Sequence, residues 1–182
     1  MESRVLIAGS GGQGIIFMGE ILSWTAMLEA KEVTSFPSYG VEKIGGFARC
    51  LVIISDEMIG SPVSDVVDIL IAMNKWALEK FTQKVETQGL IIYDSVLKTP
   101  EIQDSSIRTY RVPASEKALC HNALKGSNMV MLGAFSAITK LVKLKTLLHV
   151  LEVRTPEHRI DSIEINKRLI KEGYKLFEDK KG

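Results

Sequence analysis

The residues of this chain with the clearest chemical potential stand near its start. Val5–Phe17, "VLIAGSGGQGIIF", runs from an apolar stretch into glycines and then into a helix-like segment. Gly9, Gly11 and Gly14 carry the G-x-G-x-x-G spacing of a dinucleotide-binding turn. In such a turn the backbone approaches a pyrophosphate at a helix N-terminus, where free amides and the helix dipole favour anions. A nicotinamide or flavin site also needs an Asp or Glu at the end of the following strand, to hold the ribose hydroxyls. Here that strand closes on Phe36-Pro37-Ser38, and Glu29 and Glu32 come before it. The fingerprint lacks its confirming acid. No Gly-Lys-Ser or Gly-Lys-Thr follows, which excludes a P-loop. Two other uses stand beside the dinucleotide reading. The turn can be a tight strand-to-helix connection with close packing. Or Gly9, Gly11, Gly12 and Gly14 can present backbone amides, with Gln13, to an anionic or carbonyl-bearing group. Gln13 is uncharged and both donates and accepts, so it suits a subunit contact or the neutral edge of a cofactor.

Other reactive residue types are sparse. Cys50 and Cys120 are far apart, without a C-x-x-C pair. Two cysteines cannot supply the four ligands of an iron–sulfur cluster, and a thiolate zinc site is disfavoured. They read as buried structural thiols of a reducing compartment. His121, His149 and His158 have no metal-ligand spacing and read as structural or exposed. No nucleophile–base pair or carboxylate dyad is evident, so no catalytic residue is assigned. The net charge of +1 gives no overall field for nucleic acid or a membrane surface. From Lys140 onward, however, 11 Lys and Arg face 7 Asp and Glu, against 12 and 15 in the remainder. That basic region reads as a solvated helix face or as a surface for an acidic partner. The apolar stretch after Arg4 breaks into glycines, unlike a signal peptide, and no apolar run approaches about 18 residues. A cytoplasmic protein is expected.

The elements that must position these residues follow from periodicity. Strands are predicted at Val5–Ala8, Val33–Phe36, Phe47–Ser55, Asp68–Met73, Leu90–Tyr93 and Ile107–Val112. Helices are predicted at Gly14–Glu29, with Ile15, Met18, Leu22 and Ala26 inward, and at Asn74–Val85. Further helices are predicted from Pro113 to about Leu124, over Asn128–Leu141 and Leu144–Val153, and from about Pro156 to Phe177. Strands alternating with helices give an α/β layered fold with a mainly parallel sheet and helices on both faces. The 182 residues, 46% hydrophobic and 25% charged, fit one domain over 1–182. Asn128 is placed to cap its helix. Gly133 and Ala134 allow a neighbour to approach closely, and Asn166 and Gly173 read as packing residues.

Five ordered motifs then carry a resemblance. They are "GSGGQG" at Gly9–Gly14, "SYGVEKIGGFARC" at Ser38–Cys50, "ISDEMIGSP" at Ile54–Pro62, "SNMVMLGAF" at Ser127–Phe135 and "INKRLIKEGY" at Ile165–Tyr174. Together they resemble the gamma subunit of 2-oxoacid:ferredoxin oxidoreductases. The resemblance implies a subunit of a larger assembly, inactive alone and itself without bound cofactor. In that family, partner subunits bind thiamine diphosphate and iron–sulfur clusters, decarboxylate a 2-oxoacid oxidatively, form an acyl-CoA and pass electrons to ferredoxin. The gamma chain would shape the active site and help form its coenzyme A side. Candidate cofactor-side residues are the turn residues Gly9, Gly11, Gly12, Gln13 and Gly14, with Tyr39, Gly45, Gly46 and Arg49 of the loop.

That loop departs from the family pattern, which resembles S-Y-G-P-E-x-R-G-G. Val41 replaces the proline and Ile44 the arginine, removing a planar charged fork suited to a carboxylate or phosphate. Lys43 is adjacent but offers only a point charge. Arg49 is similar to members acting on 2-oxoglutarate and gives a lean toward that acid. Gly40, Gly45 and Gly46 can equally serve loop torsions, and Tyr39 reads as a core or interface aromatic. An independent nucleotide-binding reductase and a non-catalytic scaffold of the same fold are the alternative readings.

Overall fold

The apolar segments run continuously rather than alternating because most strands are covered on both faces. β1 (Glu2–Ser10) lies inside a six-stranded sheet of order β2-β3-β1-β4-β5-β6. The other strands are β2 (Glu32–Tyr39), β3 (Phe47–Ser55), β4 (Val67–Ala72), β5 (Val85–Asp94) and β6 (Arg108–Val112). The computed structural model describes residues 1–40, 46–97, 102 and 104–178. β1, β4, β5 and β6 pair in parallel, so the sheet is mostly parallel as expected. β3 is the exception, antiparallel to both β1 and β2. Its connection to β2 is too short for a crossover and permits only a hairpin.

The α-helices of the described residues are α1 (Ile15–Leu28), α2 (Lys75–Phe81), α3 (Ala114–Cys120), α4 (Ser127–Thr139), α5 (Leu144–Arg154) and α6 (Ile163–Lys175). Period-two alternation turns Val5, Ile7, Val52 and Ile71 toward a core shared with α1, α4, α5 and α6. The intervening Leu6, Leu51, Leu70 and Ile91 face a smaller core with Ala77, Leu78 and Phe81 of α2. Helices occupy both faces, but unequally: among the described residues, α2, of seven residues, is the helix of the second face. Ile15, Met18, Leu22 and Ala26 are all buried, as their spacing predicts. Among the described residues, no helix is long and apolar enough to cross a membrane.

Several boundaries move for identifiable reasons. The predicted helix Asn74–Val85 ends at Phe81, and a 3-10 turn (Thr82–Lys84) leads into β5 at Val85. Polar Glu86, Thr87 and Gln88 hide this early part of β5, where Gln88 adopts a positive φ of 66° and the pairing with β4 shifts register. The segment after Pro156 is a 3-10 turn (Glu157–Ser162) before α6 begins. The helix after Pro113 stops at Cys120, which is exposed, contrary to the expectation of a buried thiol. Cys50 is buried, and that burial pushes its thiol pKa up, offset in part by the Ser35 hydroxyl. It is therefore an inert packing group.

α4 and α6 cross at two glycines. A Cβ added at Gly133 would lie 2.0 Å from the Ile170 carbonyl oxygen, and one at Gly173 would lie 1.9 Å from that of Val130. Only hydrogen fits at either point.

Candidate functional site

The site begins where β1 ends. Gly14 caps α1 with a left-handed φ of 73°, and Gly12 has φ 93°. Such torsions are ordinary for glycine and strained for other residues. The chain can therefore turn sharply from β1 into α1. Gly9 is kept small for a different reason: a Cβ there would sit 2.6 Å from Gln13 Oε1.

Gln13 is turned inward. Its Oε1 accepts from the Ser10 amide at 2.7 Å and from Asn74 Nδ2 at 3.3 Å, while its Nε2 donates to the Met73 carbonyl at 3.0 Å. Asn74 Nδ2 also donates to Ser10 Oγ at 2.7 Å, and its Oδ1 caps α2 by accepting from Ala77 N at 2.8 Å. This network ties the carboxyl ends of β1 and β4, leaving the backbone rather than the Gln13 amide facing outward. The Gly11 amide donates to the Gly46 carbonyl at 2.8 Å, which joins the glycine turn to the loop before β3. Gly45, Val41, Lys43 and Ile44 lie outside the described residues.

Beside the turn opens a cleft of about 610 Å³. Gly12 and Gly14 form one wall, and Lys125 and Gly126 a second, at the entry to α4. Arg159, Ser162 and Asn166 form the third, with Phe17 and Met129 supplying apolar surface. The N-termini of α1 and α4 meet here. Neither has a side-chain cap or an acidic residue in its first turn. Asn128 does not cap α4, as its sequence position suggests; Gly126 holds that place and Asn128 is the second helical residue. Its buried side chain donates from Nδ2 to the Gly14 carbonyl at 3.4 Å, and its Oδ1 accepts from the Met129 amide at 3.0 Å. Lys125 and Arg159 are exposed and form no ion pair with a described residue. Two uncapped helix N-termini and these two cations make a positive cleft with an apolar floor, suited to a phosphate-bearing ligand. Among the described residues, no cluster of His, Cys, Asp or Glu could hold a metal ion.

The loop residues separate. Gly46 stays with the turn, but Arg49, opposite Ala8 on β1, projects from the second face of the sheet. There it lines a different cavity with Leu6 and Leu51. Tyr39 ends β2 and is 72% exposed, so it is no core aromatic. Sequence reasoning missed Lys125 and Arg159. The only hint is the Gly126-Ser127 entry into α4, since Arg159 lies far along the chain and reaches the cleft through the packing of α6 on α4.

The model of the pyruvate ferredoxin/flavodoxin oxidoreductase family matches residues 4–176. The chain is 41% identical over 137 residues to ketoisovalerate oxidoreductase subunit VorA of Methanothermobacter thermautotrophicus, covering 75% of this chain. It spans only 28% of that relative's length. It is 33% identical over 186 residues to 2-oxoglutarate synthase subunit KorC of Methanothermobacter marburgensis, covering 96% of this chain and 100% of the relative. Among solved structures, the keto/oxoacid ferredoxin oxidoreductase gamma subunit from Geobacter sulfurreducens superposes with a TM-score of 0.82 at 26% identity. That match covers 96% of this chain and 95% of the other.

Proposed function

This chain belongs to the pyruvate ferredoxin/flavodoxin oxidoreductase family, and from that premise we propose that it works as the gamma subunit of a thiamine-dependent 2-oxoacid:ferredoxin oxidoreductase, contributing to the coenzyme A side of the active site. Thiamine diphosphate and the iron–sulfur clusters belong to partner subunits in this reading, and ferredoxin takes the electrons. The observation that carries the coenzyme A assignment is the meeting of two uncapped helix N-termini with Lys125 and Arg159 around the glycine turn. The Gly12 and Gly14 amides of the turn and the start of α4, with those two cations, would hold phosphate groups; the Gly11 and Gln13 amides are already taken by the Gly46 and Ser10 carbonyls. Phe17 and Met129 would keep water from the less polar part of the ligand. Bound coenzyme A supplies the thiol that accepts the acyl group. Gln13 acts at one remove, fixing the turn through Ser10, Met73 and Asn74. A cytoplasmic location accompanies the reading, in keeping with two free cysteines, Cys50 and Cys120.

The test uses the complex assembled with its partner subunits. Replacing Lys125 and Arg159 together by alanine is expected to raise the Michaelis constant for coenzyme A about 10-fold or more, the scale of a lost charge-assisted contact. The constant for the 2-oxoacid should stay unchanged. Equal constants for coenzyme A in the two complexes would remove the cleft from this role. Running the assay with 2-oxoglutarate and with 2-oxoisovalerate identifies the acid. Arg49, the origin of the lean toward 2-oxoglutarate, lies on the opposite sheet face from the cleft.

A further inference from the structure

The second face of the sheet is covered over β1 and β4 by α2; over β3, Leu51 and Ile53 are buried with Ile59 packed beside them, while Phe36 of β2 and Phe47 of β3 remain exposed. A cavity of about 270 Å³ lies there, with Leu6, Leu51 and Val67 as its floor and Phe36, 48% exposed, at its edge. Arg49 enters it from β3, half-buried. Its guanidinium lies 6.0 Å from the Phe81 ring centroid, and no described carboxylate stands within ion-pair distance. Lys84 stands at the rim, paired among the described residues with the fully exposed Asp65 at 3.9 Å, which is a weak, solvent-screened contact. Next to the cavity, the Lys80 ammonium lies 4.8 Å from the Trp76 ring and 5.5 Å from Phe47, again with no described carboxylate partner. Trp76 and Phe47 stack at 5.6 Å, and both are exposed. The other α2 charges, Lys75 and Glu79, pair with each other at 3.5 Å.

Among the described residues, Arg49, Lys80 and Lys84 thus leave this face with surplus positive charge set among exposed aromatics. A guanidinium half-buried on an apolar floor keeps part of its hydration, and an incoming carboxylate would replace that water with charge-assisted hydrogen bonds. We infer that this face docks against a partner subunit of the same complex, which inserts a carboxylate side chain into the Arg49 cavity and packs apolar groups on Phe36, Phe47 and Trp76. The inference rests on reading the chain as a subunit. A protein surface fits better than a small acid because the aromatics extend past the cavity along β3 and α2. The planar arginine fork matches a carboxylate in two parallel hydrogen bonds, which lysine cannot reproduce.

The experiment measures association of this chain with the purified partner subunits, for the wild type and for Arg49→Lys, Arg49→Glu and Lys80→Glu. Thermal unfolding of each free chain serves as the check on folding. Arg49→Lys is expected to weaken association roughly 10-fold and Arg49→Glu roughly 100-fold. Lys80→Glu should also weaken it and lower its salt dependence. Coenzyme A kinetics should be unchanged in the Lys80→Glu complexes that form. Wild-type association retained by Arg49→Glu and by Lys80→Glu overturns the inference while leaving the subunit reading intact. So does a loss confined to association of this chain with its own copies, which would make the face a homomeric interface. A wild-type chain that does not bind the partner subunits at all fails the subunit reading itself.

Discussion

Replacing Gly173 by alanine is expected to lower the free energy of unfolding by about 3 kcal/mol or more, the upper end of overpacking costs. At an ordinary helix position the same change stabilises, since alanine exceeds glycine in helix propensity by about 1 kcal/mol. The sign is reversed here because α4 and α6 touch backbone to backbone. The new methyl would meet the Val130 carbonyl oxygen at 1.9 Å and the Ala134 amide nitrogen at 3.1 Å. No side-chain rotation relieves a contact with main-chain atoms, so the helices must part, loosening the buried Leu169, Ile170 and Val130 between them. Gly133→Ala should behave alike, its methyl falling 2.0 Å from the Ile170 carbonyl oxygen. Gly60→Ala is the control: a Cβ added there meets nothing within 4 Å, and little change is expected. Urea unfolding of the three variants checks this, and a loss below about 1 kcal/mol for Gly173→Ala would mean that the two helices part more easily than a backbone-to-backbone crossing allows.

Gly14→Ala carries the second large effect, and it reaches the site. The left-handed φ of 73° costs a non-glycine residue about 1–2 kcal/mol. The added methyl would also meet Asn128 Nδ2 at 2.3 Å, forcing that buried amide away from the Gly14 carbonyl. A total loss of about 2–4 kcal/mol is expected, the sum of strain and a displaced buried polar group. Gly12→Ala separates the two causes. Its φ is 93° but nothing lies within 4 Å, so only the strain remains. Since Gly14 joins both helix N-termini at the cleft, its substitution should also raise the Michaelis constant for coenzyme A about 10-fold in the assembled complex. Denaturation of the free chain and coenzyme A titration of the complex measure the two effects. Equal stability losses at Gly12 and Gly14 would contradict the account of Asn128.

Local pattern carried much of the fold. β3 runs over Phe47–Ser55, as its β-branched and apolar run predicts, and α1 buries the four residues its spacing selects. The glycine turn was legible because its spacing is a backbone requirement, met here by Gly12 and Gly14 at positive φ. What pattern could not supply was anything set by distant pairing. The antiparallel direction of β3 depends on its partners β1 and β2. Asn128 reads as a cap until α4 is placed against Gly14, 114 residues earlier in the chain. Arg49 and Gly46 share one loop motif, yet strand alternation sends Arg49 to the far face of the sheet. Lys125 and Arg159 acquire meaning only when α6 packs on α4 and closes the cleft.

The most direct test of the central claim is coenzyme A-dependent oxidation of a 2-oxoacid, followed by reduction of ferredoxin, in partner subunits assembled with and without this chain. Activity that appears only when the chain joins the complex, with the isolated chain inactive, is the expected result. Partner subunits that turn over at the same rate without it, or that never bind it, would contradict the assignment.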